Sequence, residues 1–200
     1  MLSMNEIELT HRKFQHIHVV LSSDSFLKMD ALNGEIPFWI APYEISTQDL
    51  VEQEIKNLTV KLDNAGIKTL MIDLFELSCS LVDDNIGLNE MFDLELDMDK
   101  SDFKDAIQST INIHERFIPA IVEKVVSVKP NILLLKGVGA VYPFIRSHTV
   151  LNNLQSAVKN IPTVMFFCGS YTGQSLNLFG ALKDDNYYRA FNIDTYKLKA

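Results

Sequence analysis

The chain has 200 residues, of which 47 % are hydrophobic, with a formal charge of −8. That length suits one domain with a substantial core, and that apolar share excludes a disordered chain. No apolar run reaches the roughly 18 residues a membrane helix needs, and an acidic chain is repelled by nucleic acid, so direct nucleic-acid binding is not expected.

The charge is uneven. Residues 1–129 hold 23 acids against 11 Lys and Arg, a balance of −12, whereas residues 130–200 hold 3 against 7, a balance of +4. Met1 to Thr10 is polar and acidic, unlike a signal peptide, so a cytoplasmic protein is expected. Cys79 and Cys168 stand alone in apolar contexts. They supply neither a disulfide framework nor a zinc site, and two buried thiols are expected.

Leu9, Phe14, Ile17 and Leu21 predict an opening helix over 7–21. Asn33-Gly34 marks a turn, followed by a first strand over Ile36–Ala41 that ends at Pro42. Ser46 and Asp49 have capping-box spacing, and Val51, Ile55, Leu58 and Leu62 carry a helix up to Gly66. Ile67–Leu74 reads as a second strand, so the segment is a βαβ unit with a parallel strand pair.

Ser80–Lys100 is acidic and weakly periodic, which suggests a short helix and a solvated loop. Ser101 is placed to cap the next helix, in which Phe103, Ile107 and Ile111 fall four residues apart, and Pro119 should kink or restart it. Ile132–Leu135 has the unbroken apolar character of a buried parallel strand. A Gly137-x-Gly139 turn, a helix over Ile145–Lys159 and a fourth strand over Thr163–Phe167 ended by Gly169 follow. A short helix over Ser175–Leu182 and an edge strand over Tyr187–Ile193 complete the pattern. These elements predict one α/β/α three-layer domain over residues 1–200, with a mostly parallel sheet of about five strands.

This architecture often hosts nucleotides, but the first strand–helix junction, Ala41-Pro-Tyr-Glu-Ile-Ser46, lacks the glycines and lysine of a phosphate-binding loop. Gly137-x-Gly139 is followed by Tyr142 where a dinucleotide fingerprint needs its third glycine, which leaves a tight turn. The histidines lack zinc spacing, and adjacent Ser147 and His148 do not make a base-activated nucleophile. No cofactor, metal site or catalytic residue is expected, and the chain reads as a binding protein, not an enzyme. The alternative is a nucleotide- or metal-binding regulatory domain on a degenerate nucleotide-binding fold. It requires Tyr43, Asp73 and Lys136 to converge at the carboxyl ends of the strands.

Two stretches are rich in the aromatic and arginine residues that anchor protein interfaces. One presents Tyr142, Phe144, Arg146, His148 and Asn152 around the start of a helix; the other presents Tyr187, Tyr188 and Arg189. For the first, core packing of Tyr142 and Phe144 with a carboxylate pairing Arg146 is an equal alternative.

These stretches, with Glu35–Tyr43 and Gly169–Gly180, make residues 26–193 similar to the BrxB family of bacterial BREX phage-exclusion systems. The resemblance implies an accessory or scaffolding protein in antiviral defence. Its partners would be a PglZ-type, alkaline-phosphatase-like protein and other BREX components, and homo-oligomerisation is compatible with it. The family brings no catalytic motif to carry onto these residues.

Overall fold

A computed structural model describes residues 2–30, 37–184 and 189–198. Helix α1 (Met4–Leu21) starts before its apolar periodicity does, because Ser3 and Glu6 close a capping box. The Glu6 amide donates to Ser3 Oγ, and the Ser3 amide donates to the Glu6 carboxylate at 2.7 Å. A single turn, α2 (Asp24–Leu27), buries Phe26.

Strand β1 (Phe38–Tyr43) runs through Pro42 rather than ending there. Pro37 O accepts from Thr163 N, so the odd-numbered residues of β1 address β4 and Pro42 addresses the other side. On that side the pairing stops at Ile40, so the missing N–H of Pro42 breaks no ladder bond. The capping box expected at Ser46 and Asp49 does not form. A 3₁₀ turn over Ile45–Thr47 intervenes, and Thr47, the N-cap of α3 (Gln48–Asn64), gives no side-chain bond to the helix amides, its hydroxyl donating instead to the Glu44 carbonyl. α3 does bury Val51, Ile55, Leu58 and Leu62, and Gly66 follows its end at φ +76°.

Strand β2 (Thr69–Asp73) is shorter than its apolar run, because Asp73 caps α4 (Leu74–Asn85) directly. The acidic segment then forms a second helix, α5 (Leu88–Asp97), where a solvated loop is the sequence expectation. α6 (Lys100–Ile111) takes Asp99 as its N-cap and places Ser101 inside the helix. A π-helical turn at Ile113–Phe117 precedes α7 (Ile118–Val128), which restarts with Pro119 in its first turn, as predicted.

Strand β3 (Ile132–Lys136) leads through Gly137 into the short α8 (Val138–Val141), and α9 (Ser147–Ala157) follows. β4 (Thr163–Tyr171) does not stop at Gly169 but continues into a hairpin with β5 (Leu176–Leu178) and β6 (Leu182–Asp184). That hairpin replaces the short helix predicted over Ser175–Leu182. β7 (Phe191–Asn192) is a parallel edge strand beside β1. Tyr187 and Tyr188 lie outside the described residues.

The parallel strands run in the order β2-β3-β4-β1-β7, with the hairpin continuing from β4. β1 and β2 are parallel but not the neighbouring pair that the βαβ reading predicts; β3 and β4 are inserted between them. Alternate residues of each inner strand feed opposite cores. Trp39, Ala41, Ile132, Leu134, Val164 and Phe166 pack towards α1–α3. Phe38, Ile40, Leu133, Leu135, Met165 and Phe167 pack towards α4–α9. Burial of both faces accounts for the unbroken Ile132–Leu135 run and makes the fold a three-layer α/β/α arrangement. Among the described residues, no helix is long and apolar enough to cross a membrane.

Candidate functional site

The carboxyl ends of β1, β2 and β3 bring together Tyr43, Asp73 and Lys136, as the topology predicts. What joins them is two residues of α3 that sequence reasoning passed over. The Tyr43 hydroxyl donates to Gln48 Oε1 at 2.7 Å, and Gln48 Nε2 donates to Glu52 Oε1 at 3.1 Å. Glu52 Oε2 accepts from Lys136 Nζ at 2.7 Å, and Lys136 Nζ lies 3.3 Å from Asp73 Oδ2. Asp73 Oδ1 in turn accepts from the Phe75 and Glu76 amides at 2.9 and 3.2 Å, capping α4. The i, i+4 spacing of Gln48 and Glu52 is the one sequence signal for this chain of bonds, and it looks like any solvated helix face.

Burial, reinforced by the nearby Cys168 and Glu52, pushes the Tyr43 phenol up. Burial alone would lower the Lys136 ammonium, but Glu52 and Asp73 outweigh it and hold its pKa above the usual lysine value. A lysine held charged between two carboxylates is neither a proton acceptor nor an open phosphate ligand. Its capacity is structural: it ties the sheet rim to α3 and α4.

The Gly137-x-Gly139 turn serves the same rim. Gly137 has φ +83°, and a Cβ there would collide with the Asp73 carboxylate. At Gly139 a Cβ would stand 2.7 Å from the Phe179 ring. Both glycines are explained by close packing. Among the described residues, no three His, Cys, Asp or Glu side chains gather as a metal site.

The second candidate surface surrounds the start of α9. A cavity of about 500 Å³ opens between the α8–α9 connection and the β5–β6 hairpin. Its floor is formed by the buried Val138, Ile145, Phe167, Leu176 and Leu178. Its rim carries Tyr142, Arg146, Ser147 and Lys183. Tyr142 is 37 % exposed, and Arg146 is exposed without an ion pair among the described residues. The carboxylate partner weighed for Arg146 is therefore not present among them.

The other residues of the two stretches are placed differently. Phe144 is half-buried against the core, and its carbonyl accepts from Gln108 Nε2 at 3.0 Å. His148 is half-buried and Asn152 exposed on α9. Arg189 is exposed, and its carbonyl accepts from Gln155 Nε2 at 2.8 Å, near the far end of α9. Gln155 lies nine positions from Arg146, about 14 Å along a helix. The basic residue brought to the same cavity as Arg146 is thus Lys183. Its placement depends on the hairpin, which the sequence pattern does not disclose.

Asp73, Lys136 and the residues lining the cavity all lie in a segment matched by a recognised family. The family model described as BREX protein BrxB matches residues 70–193. A BREX protein BrxB of Bacillus cereus (strain H3081.97) is 38 % identical over 180 residues, covering 86 % of this chain and 91 % of that protein. A BREX protein BrxB of Escherichia coli O9:H4 (strain HS) is 24 % identical over 181 residues, covering 90 % of each. No solved structure matches the chain. The family match spans β2 through β7, and the two relatives extend it over nearly the whole chain, so the protein belongs to the BrxB family of BREX proteins.

Proposed function

We propose that this BREX-system component is a non-catalytic scaffolding protein, and that it binds a PglZ-type, alkaline-phosphatase-like partner. The observation that carries the reading is the exposed Arg146, without an ion pair among the described residues, beside Tyr142 at the mouth of an apolar-floored cavity. Arginine and tyrosine around a hydrophobic centre are the groups that dominate protein-interface energetics. By contrast, the charged groups at the strand ends, where an enzyme of this architecture places its chemistry, are bound to one another.

The test is capture of the tagged protein from cells co-expressing its neighbouring genes, with partners identified by mass spectrometry. Recovery of a PglZ-type protein in near-equal amount is expected. Arg146→Glu should abolish that recovery while leaving the melting temperature unchanged. Partner recovery unaffected by Arg146→Glu would place the interface elsewhere. A chain recovered alone, but stabilised against heat by ATP, GTP, Mg²⁺ or Mn²⁺, would favour a ligand-binding regulatory domain instead.

A further inference from the structure

We propose that the cavity beside α9 receives an apolar side chain of the partner, and that Arg146 holds a carboxylate from the same partner segment. This deepens the scaffolding reading and rests on it.

The floor defines the apolar half of the ligand. Val138, Ile145, Phe167, Leu176 and Leu178 are each 7 % exposed or less, and none carries a side-chain hydrogen-bonding group. A polar group seated among them would lose its water without finding a side-chain partner, which costs on the order of 1–3 kcal/mol. A hydrocarbon side chain pays no such penalty. The volume of about 500 Å³ falls within the range of roughly 300–1,000 Å³ typical of binding pockets. It admits one large anchor residue together with part of its neighbour.

The rim defines the charged half. Arg146 is the N-cap residue of α9, a position that favours side chains able to accept a bond from the first-turn amides. The first turn of α9 contains no acid, so a cation sits at the positive end of the helix dipole without a carboxylate in that turn to offset it. Lys183, on the facing strand β6, adds a second positive charge to the same rim. Among the described residues no Asp or Glu lines the cavity, although the chain as a whole carries −8. Local choices that run against helix stability are characteristic of functional positions. An incoming carboxylate would meet Arg146, which has no competing ion pair to break among the described residues, and would complement the helix terminus as well.

The experiment uses the full chain co-expressed with its neighbouring genes. The exposed rim residue Ala181 is replaced by photo-reactive p-benzoylphenylalanine, and the cross-linked partner peptide is sequenced by mass spectrometry. We expect Leu, Ile, Met or Phe within two residues of Asp or Glu at the cross-link. In parallel, Ala181→Trp, which fills the mouth, and Arg146→Ala should each reduce partner recovery by at least about tenfold. Both variants should melt like the parent, since both positions are exposed.

Undiminished recovery with both variants would overturn the cavity proposal and leave the scaffold standing. A cross-link confined to a basic segment, or to one without an apolar anchor, would also overturn it. If the parent chain captures no partner, the scaffolding reading fails and this proposal falls with it.

Discussion

Lys136 Nζ stands 2.7 Å from Glu52 Oε2, so a residue at the end of the inner strand β3 is tied to the second turn of α3, the helix that connects β1 to β2. Asp73, 3.3 Å from the same ammonium, brings the neighbouring strand end into the pair. All three side chains are less than a third exposed. The rim is held by one cation serving two anions.

Removing that cation while keeping its hydrocarbon, as in Lys136→Met, leaves two half-buried carboxylates facing each other. The variant should lose roughly 1–3 kcal/mol in urea unfolding. The pH dependence follows from the raised ammonium pKa of the folded state. The stabilisation is fully present below the lysine pKa of the unfolded chain and disappears as pH climbs through the higher folded value. The difference between parent and variant should be constant across neutral pH and shrink in strong alkali. Equal stabilities at pH 7 would show that the rim draws nothing from Lys136.

Gly137 and Gly66 form a natural pair of tests, since both adopt positive φ, +83° and +76°. Around Gly66 a Cβ would meet nothing within 4 Å, so Gly66→Ala should cost only the left-handed strain of about 1–2 kcal/mol. At Gly137 the added methyl would also drive the Asp73 carboxylate away from its place. Displacing Asp73 weakens both the α4 cap and the Lys136 pair. Gly137→Ala should therefore be the more damaging by at least ~1 kcal/mol in chemical denaturation. Similar costs for the two would mean that Asp73 relocates freely.

The cysteines should be poor nucleophiles in the native protein. Burial pushes the Cys168 thiol up, and only 2 % of that residue is exposed. Cys79 is half-buried rather than fully buried, yet burial followed by the carboxylates of Asp73 and Glu76 pushes its thiol up as well. A raised pKa leaves less thiolate at pH 8, and thiolate is the reactive form. Iodoacetamide should label Cys79 slowly and Cys168 hardly at all, whereas both should react promptly in urea. Labelling of native Cys168 at the denatured rate would contradict its placement.

How much of this was legible in the sequence depends on whether the deciding contacts are local. The Ile132–Leu135 run, the α3 stripe and the restart at Pro119 each declare themselves through composition or period, because burial of a whole strand or one helix face needs nothing else. The β5–β6 hairpin is different. Its existence turns on Gly169, where the carbonyl of Asn177 comes too close for any Cβ and φ is +143°. That approach is between residues far enough apart that no window reveals it. Because the hairpin supplies Leu176, Leu178 and Lys183 to the cavity, its lining was only half visible: Tyr142 and Arg146 stood out, and their counterparts did not. The βαβ segment likewise specifies a parallel pair of directions but not how many strands come between, so the separation of β1 from β2 had to come from the long-range order.

The attachment of α1 offers a last test, because its amphipathic period says that it packs without saying what fixes its position. Lys13 donates both to the carbonyl of Pro42 and to Asp194 Oδ2, the latter at 2.7 Å. The Pro42 carbonyl lies beyond the last residue of β1 paired with β7, so the lysine does what a neighbouring strand would otherwise do. The same ammonium holds the 3₁₀ turn at Ile193–Thr195, whose Ile193 is buried beside α1. Lys13→Ala therefore removes a charged donor from a carbonyl and from a carboxylate at once. It should cost about 1–2 kcal/mol. Amide exchange should then quicken in α1 and in residues 191–196 together while the β3–β4 centre remains protected. Acceleration confined to α1 would show that the carboxyl-terminal turn is held by its apolar contacts alone.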